Sequence, residues 1–441
     1  MNLTRRSASS VNQSQLSPRS ISHPLHVKHP QQQTHVRRDK YRQSIKWING
    51  LRGILSFLIY WHHHQLWAHS ESMALVLELP FGFRKCYYFA TFPFIRTFFS
   101  GGHLAVSVLF VLSGFTLSAK PLRASLKKDY MTALDVASSA FCRRWLRLYV
   151  PFAVMTFLYM SMWYLPVLGH LIRPASALEG WTQEAQRWLR EFWSYSYIFS
   201  DLSDPWSRYN DHMWTLILEL RGSLVVHVVL LVTTRWDSRL RIILLTLLTV
   251  YFLLVVDGWY CAMFLCGSLL CGSAIEKEYN SSKKMLQNTR GYRTWFYLAL
   301  ATYLGNVPHV IHDHLKRMPG WYYLSFLKPS AMVDPKWFYL FWASYLLVYV
   351  IMQNTTMQRL LEWNVFQYLG SVSFGLYLVH GPLLWTLGEF IYQAIGFQGR
   401  QNTVYIREDI TVFMNRGPLG LELGFLVSQI ILLPVSLLAS H

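Results

Sequence analysis

The first long apolar block of the chain contains an arginine and three consecutive histidines, side chains that can take part in acid–base chemistry. Arg52 and His63 are eleven residues apart, which is about three helical turns and about 16 Å along a helix axis, so they share one helix face. A histidine can accept and return a proton near neutral pH. His63, with His62 and His64 beside it, is therefore a candidate general base. The alternative is that the three histidines hydrate the end of the helix.

Two further groups place charge next to apolar blocks. Arg143, Arg144 and Arg147 follow i, i+3 and i, i+4 spacing, so a helix would present them as one guanidinium face. Such a face can bind phosphates in bidentate fashion or contact anionic lipid headgroups. Glu219 lies inside a later apolar block and needs a partner at that depth. Arg52 and Arg221 are available, although Arg221 is only two residues on and faces elsewhere. A structural ion pair explains Glu219 as well as a catalytic acid does.

Two apolar blocks carry hydroxyl-bearing residues. Ser113 stands in the run of residues 110–115 beside a glycine, a pattern typical of close helix packing. It would be a nucleophile only beside a base. Ser373, Tyr377 and His380 recur at i, i+4 and i+7 and predict one polar stripe on an apolar helix. A stripe of this kind lines a wet cavity or joins helices by hydrogen bonds.

The composition indicates the element that must position these groups. Of 441 residues, 52% are hydrophobic and 15% charged, against about 25% charged in soluble domains. The apolar residues occur in blocks close to the ~20 residues that cross a bilayer. We predict an all-α polytopic transmembrane helical bundle of about ten spans. They cover residues 47–67, 103–119, 146–168, 213–234, 240–256, 258–275, 294–311, 337–352, 365–388 and 419–438.

Charge predicts the orientation of this bundle. The net charge is +18, and placing the N-terminus in the cytoplasm puts that whole excess on the cytoplasmic side. This is the positive-inside pattern, and no nucleic-acid partner is needed to explain it. Residues 1–44 are polar and basic with no apolar period and predict a disordered cytoplasmic tail. Residues 45–441 then form the transmembrane domain, in an endomembrane or the plasma membrane.

Taken in order over about residues 45–438, these motifs resemble those of the acyltransferase-3 family of polytopic membrane O-acyltransferases. Asn49 and Ser107 depart from the family pattern, which commonly has an acidic residue at each place. The polar N-terminal tail is similar to that of fungal members. The motifs that carry the resemblance are Leu51-Arg52-Gly53 with a histidine eleven residues on, Phe110-Val111-Leu112-Ser113-Gly114-Phe115, Arg143-Arg144-x-x-Arg147-x-x-x-Pro151, Trp214-Thr215-Leu216-x-x-Glu219 and Ser373-x-x-x-Tyr377-Leu378-x-His380.

The resemblance implies a transferase that moves an acyl group, often acetyl, from acyl-CoA to a hydroxyl of a glycan, a lipid or a small natural product. Acyl-CoA would be a co-substrate; no bound cofactor or metal is required, and Ser113 leaves a covalent intermediate open. His63 would take the hydroxyl proton, with Arg52 and Glu219 orienting the site or balancing charge. The substrate-binding residues would be Arg143, Arg144 and Arg147 at the CoA phosphates, and Ser113, Tyr377 and His380 in the cavity.

A multi-pass transporter or exporter of a small solute is the alternative, because it would use the same polar cavity. It predicts internal repeats, and the sequence contains no clear one. The longest loops on the far side, 170–212 and 389–417, hold tryptophans such as Trp181, Trp188, Trp193 and Trp206. These could cup an acceptor or lie at the membrane interface.

Overall fold

The computed structural model describes residues 46–69, 76–166, 169, 172–198, 207–280, 291–309, 312–397 and 422–441. The predicted tail, Trp206 and most of the loop 389–417 lie outside these residues. Within them the regular structure is helical, with one isolated bridge between Ser207 and Asn210. The prediction of an all-α chain is confirmed. The helices that matter below are α1 Lys46–Ala68, α2 Gly102–Leu126, α3 Tyr130–Met162, α4 Trp181–Ser196, α5 Thr215–Val232, α6 Ser238–Leu254, α7 Trp259–Asn280, α8 Tyr292–Gly305, α9 Lys336–Gln353, α10 Thr355–Leu361, α11 Asn364–Leu383, α12 Glu389–Ile395 and α13 Leu423–Ala439.

Each predicted span overlaps a described helix. Among the residues that the structure describes, four helical stretches are long and apolar enough to cross a membrane. A fifth, α13, is apolar but shorter. Length and composition thus agree with a membrane protein built from helices. The four stretches are Gly102–Leu126, Tyr130–Met162, Asp211–Val232 and Trp259–Tyr279.

Helix α3 begins well before the predicted span. Asp129 accepts a hydrogen bond from the Thr132 backbone amide and caps the helix, which then runs without a break through the three arginines to Met162. An exposed row on α3, including Leu146, Val154 and Leu158, is apolar, as expected for a surface that faces lipid. The arginines and the third span are therefore parts of one helix.

The predicted loop 170–212 contains an amphipathic helix, α4, which the sequence analysis did not anticipate. Trp188 packs against Phe157 of α3, whereas Trp193 is exposed. The fully buried carboxylate of Glu184 accepts hydrogen bonds from the Tyr209 hydroxyl and the Leu178 amide, both at 2.7 Å. These bonds fix α4 to the chain on either side of it.

Close contact between α1 and α11 depends on two glycines. A Cβ atom at Gly53 would lie 2.4 Å from the Gly370 amide nitrogen, and one at Gly370 would lie 2.2 Å from the Asn49 carbonyl oxygen. Helix α2 approaches α7 in the same way, since a Cβ at Gly114 would lie 1.9 Å from the Phe264 carbonyl oxygen. Small residues thus allow these backbones to touch, and the packing interpretation holds for Gly114.

Candidate active site

Four helices bring a partly buried carboxylate together with arginines at one end of the bundle. Glu219 on α5 pairs with Arg144 on α3 and accepts a 2.8 Å hydrogen bond from Ser113 Oγ on α2. The charges that act on the Arg52 guanidinium of α1 are those of Glu219, Arg147 and Arg144. We call Arg52, Ser113, Arg144 and Glu219 the arginine end. The partner that Glu219 needs at this depth is Arg144, with Arg52 nearby.

The three arginines of α3 do not act as one face. Arg143 and Arg147 are exposed, whereas Arg144 is only partly exposed and turns inward to Glu219. The reason is helical register: Arg144 lies on the stripe that α3 buries, between Ala137 and Leu148. Two guanidiniums therefore face outward, and the third forms the partly buried pair with Glu219.

Three histidine rings from three different elements stack at the other end of α1. The ring of His63 lies 3.7 Å from the ring of His212, centroid to centroid, at 25°, and 5.2 Å from the ring of His380. The rings of His212 and His380 are 4.9 Å apart and almost parallel, at 8°. We call these three residues the histidine end. Sequence spacing placed His63 and His380 among the candidates, and the structure brings them together.

Two nitrogen atoms at the histidine end have no hydrogen-bond partner within the described part of the chain. His380 Nδ1 lies 2.7 Å from the Tyr377 carbonyl oxygen, so it donates to that oxygen. In the neutral ring Nε2 is then an acceptor. His380 Nε2 and His212 Nδ1 are buried without a hydrogen-bond partner among the residues that the structure describes. Buried nitrogens that lack a partner are suited to a substrate group or a shuttled proton.

His212 was not singled out from the sequence. It lies two residues before Trp214, just ahead of the apolar stretch of α5, in a short 3-10 turn capped by Asn210. Its backbone carbonyl accepts a 2.6 Å hydrogen bond from the Tyr377 hydroxyl, which is also bonded to Thr215 Oγ1. In the sequence, the position of a histidine at the start of a predicted span was the signal that could have identified His212.

The spacing of the polar residues on α11 left two interpretations open, a wet cavity or hydrogen bonds between helices, and the three residues differ in this respect. Ser373 Oγ donates to the Gly370 carbonyl of its own helix and so serves neither. Tyr377 joins α11 to α5, while His380 belongs to the stacked rings. Thr215, bonded to Tyr377, is one turn from Glu219 and three residues from His212. Polar groups therefore connect the two ends of the site.

The three consecutive histidines of α1 contact different neighbours. His64 Nδ1 is hydrogen-bonded to the Tyr392 hydroxyl at 2.7 Å, and Gln429 donates to the same hydroxyl. This contact fixes His64 to α12 and α13. The His62 ring lies 5.6 Å from the ring of His103 on α2. Of the three, His63 is the one placed in the stack with His212 and His380.

Comparison with known proteins identifies the family. A family model described as an acyltransferase domain matches residues 45–440. The chain is 28% identical over 419 residues to O-acetyltransferase PaAT-1 of Phomopsis amygdali, covering 86% of this chain and 80% of that relative. It is 26% identical over 410 residues to acyltransferase clz18 of Cochliobolus lunatus, covering 79% and 84%.

A third relative, acyltransferase R4 of a Phoma species, is 24% identical over 416 residues, covering 81% of this chain and 87% of its own length. No solved structure matches the chain. The three relatives are fungal acyltransferases, which supports the transferase over the transporter. Since the family model covers nearly the whole chain, the protein belongs to the acyltransferase-3 family.

Proposed function

We propose that the protein is a multi-pass membrane O-acyltransferase that moves an acyl group, most simply acetyl, from acyl-CoA to an acceptor hydroxyl. The family supports an acyl transfer, and one relative is named an O-acetyltransferase. The acceptor class is a glycan, a lipid or a small natural product. The membrane is an endomembrane or the plasma membrane.

The proposed topology has about ten spans and a cytoplasmic N-terminus. It is supported by the helix at each predicted span and by the positive-inside distribution of Lys and Arg. In this orientation Arg143 and Arg147 face the cytosol, where acyl-CoA is found. The histidine end then lies toward the far side of the membrane.

The proposed roles at the arginine end follow from exposure. Arg143 and Arg147 are exposed and can bind the CoA phosphates by charge-assisted hydrogen bonds. Arg144 contributes from a partly buried position, held by Glu219. Arg52 and Glu219 balance charge, so that cations and carboxylate keep fixed positions in an apolar surrounding. Ser113 donates to Glu219 and lines this part of the site.

At the histidine end His63 is the proposed base. It accepts the proton of the acceptor hydroxyl as the oxygen attacks the thioester carbonyl, and the carbon–sulfur bond then breaks. The proton passes from His63 to the departing CoA thiolate. His212 and His380 hold the His63 ring by stacking and offer further proton sites, while Tyr377 fixes His212 through its backbone carbonyl. His380 can also donate toward a developing oxyanion when protonated.

One observation carries this proposal: a single helix, α1, holds a base candidate among stacked histidines at one end and an arginine beside an ion pair at the other. The two are about 16 Å apart along the axis, a span that the long pantetheine arm of CoA can bridge. Phosphates at one end and thioester at the other would fit this arrangement.

The experiment that tests the proposal avoids the unknown acceptor. Equilibrium binding of acetyl-CoA is measured on the purified protein in nanodiscs, beside Arg147→Ala and Arg144→Ala. Saturable binding that Arg147→Ala weakens supports the proposal and justifies an acceptor screen. A folded protein that binds no acetyl-CoA contradicts it, and solute-flux assays would follow.

A further inference from the structure

A second cluster of ligand atoms lies beside the histidine end, where α1, α2 and the loop between them meet. His62 of α1, His103 of α2 and Glu78 of the loop each offer one nitrogen or oxygen, and these atoms all lie within 4.8 Å of one another. His103 Nδ1 is 3.8 Å from Glu78 Oε1. Two imidazoles and a carboxylate form a donor set typical of zinc sites with an open position.

The angle between rings distinguishes this cluster from the stacked one. A metal lies in the plane of each imidazole that binds it, along the nitrogen lone pair. The rings of His62 and His103 meet at 69°, so their planes intersect and can share one metal. The rings of His212 and His380 are near-parallel, a geometry that favours stacking over the sharing of one metal. The ligand atoms of His63, His212 and His380 also lie within 4.8 Å of one another, and the crossed rings together with the Glu78 carboxylate favour the second cluster as the metal site.

Burial gives a second, independent indication. The His62 side chain is 4% exposed, and its Nδ1 has no hydrogen-bond partner in the part of the chain that the structure describes. A buried ring nitrogen without a partner costs free energy that a metal or another ligand would recover. The Glu78 backbone carbonyl accepts hydrogen bonds from Arg96 and from the His309 amide. These bonds position the loop that carries the carboxylate.

Two cations border the cluster, and each is held by other groups. Lys336 pairs with Asp334 at 3.2 Å and contacts His309. Arg96 donates to the carbonyl oxygens of Asn306 and Val307. Burial lowers the pKa of Arg96 to about 10, so it remains charged at neutral pH. These charges weaken a cation site by repulsion, and the effect can be measured.

We propose that His62, Glu78 and His103 form a binding site for one divalent transition metal, zinc by the donor set. The ligand atoms need to approach by about 1 Å, since zinc–ligand distances near 2.1 Å place tetrahedral ligands about 3.4 Å apart. Spacing in the sequence did not predict the site because its ligands come from three separate segments.

A metal here has a defined chemical use. The cluster borders a small cavity lined by Glu78, Ser100, His103 and Lys336, among others. A metal with an open position on this cavity can bind an acceptor oxygen and favour loss of its proton. This use rests on the proposed function, because His62 and the base His63 are adjacent. The metal site itself does not.

The test measures zinc rather than activity. The full-length protein, purified with a tag free of histidine, is loaded with Zn²⁺, desalted and analysed by mass spectrometry of the metal, and its affinity is measured by competition with a chromophoric chelator. Glu78→Gln and His103→Gln are the test variants, because these side chains are less buried than His62. Histidines of the tail are common to all variants and cancel in the comparison.

The expected result is one zinc ion fewer in each test variant than in the wild type, or an affinity lower by more than about tenfold. His212→Gln should retain the ion, and Lys336→Met should bind it more tightly because a repelling charge is gone. Equal zinc content and equal zinc affinity in the wild type and both test variants would overturn the proposal. So would loss of the ion from His212→Gln alone. Neither result depends on acyl transfer, so each is separable from failure of the proposed function.

Discussion

The arginine end and the histidine end of α1 bury polar groups in opposite ways. At the arginine end, Glu219 meets a cation and a hydroxyl donor from two other helices. At the histidine end, three imidazole rings stack, and two of their nitrogens have no hydrogen-bond partner among the described residues. The first arrangement holds permanent charges in place. The second leaves positions at which a proton can arrive and depart.

This difference has an energetic basis. A buried ion is tolerated only when a partner compensates its loss of hydration, so removal of one partner is costly. A histidine can remain neutral and avoid that cost. The arginine end is therefore expected to respond to substitution through folding and CoA binding, and the histidine end through the rate of transfer.

The largest effect is expected at His63. His63→Ala removes the proposed base and should lower kcat by about 10²–10⁴-fold while acetyl-CoA binding is kept. Transfer is measured with a competent acceptor from the screen. The matched control is His64→Gln, which loses the contact with Tyr392 and should reduce folded yield rather than the rate per folded molecule. Wild-type kcat in His63→Ala would remove this residue from the mechanism.

The next effect is expected at Glu219. Glu219→Gln leaves Arg144 and Arg52 without a compensating carboxylate and should cost more than about 1 kcal/mol of stability, below the ~3–5 kcal/mol of a fully buried pair because this pair is partly exposed. Thermal unfolding in detergent measures it. The double variant Glu219→Gln with Arg144→Met should recover part of the loss, because it also removes one of the uncompensated charges. If the double variant is less stable than Glu219→Gln alone, the ion-pair account of this end is wrong.

A smaller effect is expected at the exposed guanidiniums. Arg147→Ala should raise the Kd for acetyl-CoA about tenfold, the worth of one charge-assisted hydrogen bond. Arg235→Ala is the control, since it removes an exposed arginine from the same predicted side of the membrane. Equal weakening by both variants would show that general charge, and not a site on α3, attracts CoA.

The smallest effect is expected at the hydroxyl that links the two ends. Tyr377→Phe loses the hydrogen bonds to the His212 carbonyl and to Thr215, and should cost about 1 kcal/mol of stability. We expect kcat to fall by up to about tenfold as His212 loses its anchor. Tyr368→Phe removes an exposed hydroxyl that contacts His441 and should leave both quantities unchanged. An unchanged kcat in Tyr377→Phe would show that the hydrogen bond from Tyr377 to His212 does not contribute to catalysis.

The helices and the shared face of Arg52 and His63 could be predicted because they depend on local periodicity along the chain. Register with Arg52 on one helix face favours His63 over its neighbours, and the structure places His63 with His380. Helix α4 was missed because its 16 residues mix charged and aromatic side chains, and its stability comes from Glu184 and from packing on α3.

Contacts between helices could not be predicted in the same way. The spacing of Arg143, Arg144 and Arg147 describes one helix, whereas the inward turn of Arg144 depends on where α5 places Glu219. His212 reaches His63 only because α5 begins beside α1 and α11. Partner identity across helices is set by packing, on which sequence spacing gives no information.

The central claim is that groups at the arginine end of α1 bind acetyl-CoA, whereas groups at the histidine end carry out the acyl transfer. The most direct measurement compares the Kd for acetyl-CoA and the single-turnover rate of transfer in the wild type, Arg147→Ala and His63→Ala under one condition. We expect Arg147→Ala to raise the Kd, and His63→Ala to abolish transfer with a Kd near that of the wild type. Loss of acetyl-CoA binding in folded His63→Ala, or a wild-type Kd in Arg147→Ala, would contradict the division.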